Sequence, residues 1–261
     1  LLKSRNVNVV ETDDIVLDYK TIAFLYPKNL GEKDQEFFCF EFLKQLIEDS
    51  NKVELIRSPS ITEILKVKNG QDNINQISRS LAVENICELS ILCIDEKFKL
   101  NISIKSINTD STIYENSFDS DISNIRSVSG QIIIDIASKF EVEVSDSLKK
   151  IFRQKVDIDD KAYKLFLEGK YLSDRMTDAN SLNKSKECLK KAIDIDDEFP
   201  LAYAALGLTY SLLGEYEDAE ENLDEAIEFA EDCEDIEVLS FVYNYAGIFY
   251  KKINNTKKSI K

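Results

Sequence analysis

Histidine and tryptophan are both missing from the 261 residues, and there are only one methionine, three prolines and seven glycines. Without an imidazole there is no Ser-His-Asp triad, no Cys-His pair, no HExxH zinc site and no histidine proton shuttle. The few glycines form neither a G-x-G-x-x-G nor a P-loop, so no backbone cradle for nucleotide phosphates exists. Five cysteines, at 39, 87, 93, 188 and 233, include no CxxC pair. An odd, scattered set argues against a disulfide framework and a zinc site and for a reducing, cytoplasmic home. Cys87 and Cys93 share a face of an expected strand but lie too far apart along it to bond. No apolar run approaches the ~18 residues of a membrane-spanning helix. The opening LLKSRNVNVVETDD has no initiator Met and no apolar signal core, so it reads as the start of a fragment rather than a secretory signal.

Basic residues are unevenly placed. The net charge is −16, and between Ala192 and Tyr250 there are 17 acidic residues and no Lys or Arg. Such a surface repels phosphate backbones, which excludes nucleic acid as a partner of this region. Two readings stay open: a solvated outer face that maintains solubility, or a docking surface for a basic partner. DIDDKA at 157–162 and DIDDEF at 194–199 have the acid spacing of a calcium loop. Both fail it, with Ala162 or Phe199 where the sharp turn requires Gly. The carboxylates of 215–237 fall on an exposed helix face rather than in a desolvated cleft. No catalytic residue, metal or cofactor is therefore expected, and the chain is read as non-enzymatic.

What is present is 43% hydrophobic and 31% charged, enough for two modest cores. Residues 21–150 alternate strand-like and helix-like runs, an α/β signature with a mixed sheet. TIAFLY (21–26) and KVELI (52–56) are strand candidates, with a helix over 34–50 between them. SPSITEILK (58–66) predicts a helix with a Ser cap and an early Pro, and 72–83 another capped by Asp72 or Asn73. NICELSILCID, KFKLNISIKSIN and STIYENSF predict three successive strands, the second alternating through Leu100, Ile102 and Ile104. A helix over 123–140 closes this half, which is expected to fold on its own.

From about residue 151 the pattern becomes all-helical. In AYAALGLTYSLLGEYEDAEENLDEAI (202–227), Tyr203, Leu206 and Tyr210 recur at helical spacing, Gly214 breaks the run, and Ala219, Leu223 and Ala226 follow. Small residues at Gly207, Ala219 and Ala226 let two antiparallel helices approach to roughly 8–10 Å. This resembles the tetratricopeptide repeat, W-x2-L-G-x2-Y…A-x3-F, with Tyr203 in the Trp position and Leu223 in the Phe position. Upstream, Leu165, Gly169 and Leu172, then Ser185, Leu189 and Ala192, repeat the set, with a few extra residues near 178–183. Downstream, Tyr243, Ala246, Gly247 and Tyr250 repeat its first helix. The glycines are 38 and 40 residues apart, longer than the family's ~34, so loops or helix ends must be extended. The expected divisions are an extension over 1–20, an α/β domain over 21–150, and an array over 151–261. Within the array the repeats cover about 162–200, 200–239 and an incomplete 240–261 that ends just inside a second helix.

The first half is similar to the TolB amino-terminal-like domain as it occurs fused to tetratricopeptide repeats. IAFLYPKNLG stands for I-A-V-L-P-F-x-N, SLAVENICELSI for L-G-V-D-Y-V-L-E-G-S, and AYKLFLEGKYL for A-Y-x-L-Y-L-R-G-R-Y-L. Tyr26-Pro27 departs from the usual Pro-Phe order. Phe40-Glu41-Phe42 stands where the family often has Asp-Gly-Leu, so no ligand contact of that Asp-Gly pair carries over. The resemblance implies a regulatory, protein-interaction region of a signalling protein, whose output domain is commonly a class III adenylate or guanylate cyclase, a Ser/Thr kinase or a winged-helix regulator. It also implies a protein or peptide partner on the concave face of the first helices. The positions concerned are Tyr163, Phe166 and Lys170, then Leu201, Ala204 and Leu208, then Phe241, Asn244, Tyr245 and Ile248. The Lys and Asn clamp of some such arrays is not reproduced, because Leu201 and Ala205 occupy key places. The alternative is a small-molecule-sensing α/β domain whose repeats mediate self-association as a homo-oligomer.

Overall fold

The computed structural model describes residues 19–67, 73–154, 158–175, 178–233 and 235–259, with side chains described as far as Asn254. Nearly all of the expected 1–20 extension, and the candidate cap Asp72, lie outside these residues. An α/β layer is followed by a helical array.

The sheet runs β3-β1-β4-β5-β6, with β1 Lys20–Phe24, β3 Ile56–Arg57, β4 Asn85–Ile94, β5 Lys97–Ser106 and β6 Ser111–Asp121. A two-residue strand, β2 Lys28–Asn29, resumes beside β4 after Pro27. β1 lies parallel to β3 and β4, while β4, β5 and β6 form an antiparallel meander, which makes the sheet mixed. Parallel neighbours require crossovers, and helices supply them. These are α1 Glu36–Asn51 between β2 and β3, then α2 Ile61–Lys66 and α3 Ile74–Leu81 between β3 and β4. Period-two burial on β5 puts Phe98, Leu100, Ile102 and Ile104 on the covered face. There the Phe98 ring lies 5.0 Å from Phe38 and 5.8 Å from Phe42 of α1. α4 Ile125–Lys139 packs beside α1, and α5 Asp146–Arg153 packs on α4.

Three local expectations change. Only Ile56 of the KVELI run joins a strand, because α1 continues to Asn51 and a turn through Val53 uses up the rest. The helix after it is capped by Ser60, whose hydroxyl accepts from the Glu63 N–H while Glu63 reaches back, so Pro59 precedes the cap. Helix α5 had no counterpart in the sequence reading.

The array comprises α6 Asp160–Arg175, α7 Ala179–Ile195, α8 Pro200–Leu213, α9 Tyr216–Asp232 and α10 Ile236–Ser259. α6 pairs with α7 and α8 with α9 as antiparallel hairpins, and α10 packs on α8 and α9. The extra residues near 178–183 prove helical: Asp178 caps α7, accepting the N–H groups of Asn180 and Ser181. Gly214 ends α8 at φ 85°. No turn divides α10 as far as Ser259, since the residues after Gly247 include neither Gly nor Pro to stop it. The second helix expected before Lys261 is thus absent among the described residues.

One continuous core runs from Ile22 of β1 to Phe249 of α10, and α6 packs directly on α1.

Candidate functional site

The concave face expected to be open is partly covered by α1. The middle of α1 reads FFCFEFL, an apolar run interrupted by Glu41. That single charge is buried, at 5% exposure, and a charge taken out of water demands a partner. Lys170 of α6 supplies it, donating from Nζ to Glu41 Oε2. Asp174 lies 3.4 Å from the same ammonium and 3.1 Å from Lys44 of α1. Burial alone would favour the neutral amine, but the carboxylates of Glu41 and Asp174 raise the Lys170 pKa above the ordinary lysine value. Around this pair the Phe40 and Tyr171 rings meet edge to face at 5.4 Å, and the Arg175 guanidinium lies 4.9 Å from the Phe40 ring.

A second ionic knot ties the start of α10 to the α/β layer. Asp235 uses one oxygen, Oδ1, to accept the N–H groups of Glu237 and Val238, capping α10. The other, Oδ2, accepts from Arg126 Nη1 of α4 at 2.9 Å. Glu237 bridges Arg126 and Lys52, and Lys52 also pairs with Asp49 at 2.9 Å. Asp49 in turn accepts from the Ser129 hydroxyl at 2.7 Å. Burial acts to raise the Asp235 pKa, but the hydrogen bond and charge of Arg126 prevail and hold it below the ordinary carboxylate range.

Between the two knots lies a cleft of about 740 Å³. Its α/β wall includes Glu41, Lys44, Glu48 and Lys52 of α1 and Arg126 of α4; its array wall is aromatic. Phe166 stands 6.1 Å from Phe241, and Phe241 4.2 Å from Tyr245, ring centre to ring centre. Of the positions named from the sequence, Tyr163, Phe166, Lys170, Leu201, Phe241, Asn244 and Tyr245 line this cleft. Ala204, Leu208 and Ile248 do not: Ala204 and Leu208 are buried, and Ile248 faces solvent at 43% exposure. Tyr163, Phe166, Lys170, Leu201 and Tyr245 are themselves buried, so they present edges rather than whole side chains. Sequence reasoning missed the opposite wall. Glu41, isolated in its apolar run, was the available signal, whereas nothing local marks Arg126 or Glu48.

The small residues of the repeat do what their spacing predicts. A Cβ built on Gly207 would stand 2.7 Å from Leu223 Cγ and 3.0 Å from the Ala219 carbonyl oxygen. On Gly169 it would stand 2.7 Å from Leu189 Cγ and 3.2 Å from the Ser185 carbonyl. On Gly247 it would meet nothing within 4 Å.

A family model for the tetratricopeptide repeat matches residues 188–221, the end of α7, all of α8 and the start of α9. No curated protein matches the chain. Among solved structures, the chain is similar to TolB from Acinetobacter baumannii at 12% identity and a TM-score of 0.35, over 47% of this chain and 28% of that one. It is also similar to lipoprotein GNA1162 from Neisseria meningitidis at 9% identity and TM-score 0.33, over 46% of this chain and 99% of that one. A PelC dodecamer from Paraburkholderia phytofirmans aligns at 8% identity and TM-score 0.34, over 49% of this chain and 92% of that one. The chain spans less than a third of the TolB chain's length. Among the described residues no helix is long and apolar enough to cross a membrane.

Proposed function

We propose that this chain is a non-catalytic protein-interaction region of a cytoplasmic signalling protein, and that its array binds a protein or peptide segment in the cleft against α1. The observation that supports this most is the convergence of first-helix residues from α6, α8 and α10 on one opening. A cleft of about 740 Å³ is in the usual size range for a site that holds a small ligand or a few side chains. In this reading the ligand is an extended segment that places one or two side chains in the cleft. Aromatic edges at Phe241 and Tyr245 offer contact area at little entropic cost.

The test is selection of displayed peptides against the whole chain, followed by affinity measurements on variants. Phe241→Ala should weaken a selected peptide by more than ~1 kcal/mol, with melting curves to confirm that the chain stays folded. Ile248→Asp, outside the cleft, should leave affinity unchanged. Binding that survives Phe241→Ala but collapses with salt, or with Glu220→Gln and Glu221→Gln on α9, would move the site to the acidic outer face.

A further inference from the structure

The cleft holds four cations and each is already paired. Lys44 and Lys170 have Asp174, Lys170 also has Glu41, Lys52 has Asp49 and Glu237, and Arg126 has Asp235 and Glu237. The acceptors are not all used. Glu41 Oε1 has no hydrogen-bond partner, although the side chain is 5% exposed and lines the cleft. A buried carboxylate oxygen with no donor is costly, and more so where it carries charge. Glu48, two helical turns further along α1, also lines the cleft, and among the described residues it has no hydrogen bond or ion pair. Its side chain is exposed at the mouth, yet partial desolvation by the surrounding protein, opposed by Lys44 and Lys170, raises its pKa. Across the same cleft stand Phe166, Phe241 and Tyr245, whose accessible parts offer apolar contact to a side-chain stem. Spare carboxylate oxygens and an aromatic wall lining one cleft form a receptor for an organic cation with an apolar stem. The field outside adds to it, since the α8 and α10 parts of the array wall lie in the stretch with 17 acidic residues and no basic one.

We propose that the cleft selects a basic side chain, Arg or Lys, of an extended partner segment. The cationic head lies beside Glu48 at the mouth and draws out Glu41 Oε1, which is closed to solvent in the unbound chain, and its methylenes rest on Phe241. This rests on the reading of the cleft as the binding site of the array, and deepens it by naming the chemistry of the partner.

The probes are acetylated and amidated pentapeptides, Ala-Ala-X-Ala-Ala, with X as Arg, Lys, citrulline or norleucine, titrated into the whole isotope-labelled chain and followed by NMR. Citrulline retains the shape of Arg without its charge. The expected result is saturable shifts at Glu41, Lys170 and Phe241 with the Arg and Lys peptides. The citrulline and norleucine peptides should bind about tenfold more weakly, the scale of one charge-assisted hydrogen bond. Glu48→Gln should weaken the Arg peptide several-fold, and Glu41→Gln should remove the preference for Arg over citrulline. If Glu41→Gln does not fold, because Lys170 loses its partner, Glu48→Gln at the exposed mouth decides. Equal affinity for Arg and citrulline peptides, or no effect of Glu48→Gln, overturns the cation preference while leaving the cleft as the binding site. No binding by any peptide overturns both. Binding of N-acetyl-arginine amide as tight as that of the Arg peptide overturns the partner segment in favour of a small free cation.

Discussion

Glycine at three equivalent repeat positions has two different jobs, and substitution should separate them. Gly207 admits no Cβ without moving Leu223 or the Ala219 backbone. Gly207→Ala is therefore expected to destabilise the chain, by about 1–3 kcal/mol for an overpacked seam. Gly247, exposed on α10 with nothing near its missing Cβ, should behave oppositely. Gly247→Ala should stabilise by about 0.5–1 kcal/mol, because alanine loses less backbone freedom in a helix. Opposite shifts in the midpoint of urea unfolding check the pair. Asp235 supports a pH prediction. Its pKa in the fold lies below the ordinary value, so its contribution is complete above the unfolded carboxylate pKa of about 3.9. It is lost as pH falls through the lower folded value. Asp235→Asn should flatten the acid limb of the stability curve below about pH 4 and lower stability at neutral pH. A variant whose acid limb matches the unmodified chain would contradict the assignment.

Helix α10 is held from two directions: Val242, Ala246 and Phe249 are buried along its length, and Arg126 grips its capped end. Arg126 is 9% exposed and serves both Asp235 and Glu237. Removing one partner of a buried ion pair leaves the other desolvated, at a cost of about 3–5 kcal/mol. Arg126→Met should cost about that much, and faster amide exchange should concentrate in the first turns of α10 and beside Lys52. Adding Asp235→Asn to Arg126→Met should cost less than the sum of the two single changes, because they share one interaction. A double variant that shows simple additivity would mean the contact contributes little.

At the scale of the molecule, the α/β layer and the array share one core, with α6 against α1 and Arg126 of α4 paired to Asp235 at the start of α10. Heat or denaturant should therefore unfold the full chain in one transition, the same by near- and far-ultraviolet circular dichroism. A piece covering 19–154 would leave bare the side of α1 that meets Lys170 and Tyr171, including the buried Glu41 and the Phe40 ring. It should melt well below the full chain, and two separate transitions in the full chain would refute the shared core.

Element type was legible wherever periodicity was strong: alternation through Leu100, Ile102 and Ile104 is β5, and the spacing from Tyr203 to Ala226 is the α8–α9 hairpin. Those are local properties, set by side-chain direction along one strand or helix. The KVELI run failed because a short apolar stretch fits a strand and a helix-ending turn equally well, and only the parallel partner β1 selects Ile56. The array face of the cleft could be read from the repeat, since its positions follow from helical phase. Its other wall could not. Glu41 and Lys170 are 129 residues apart, and Arg126 and Asp235 are 109 apart, so their pairing depends on how α1 and α4 dock against the array. That docking is decided by burial of a common apolar surface, which has no direction along the chain and leaves no spacing in the sequence.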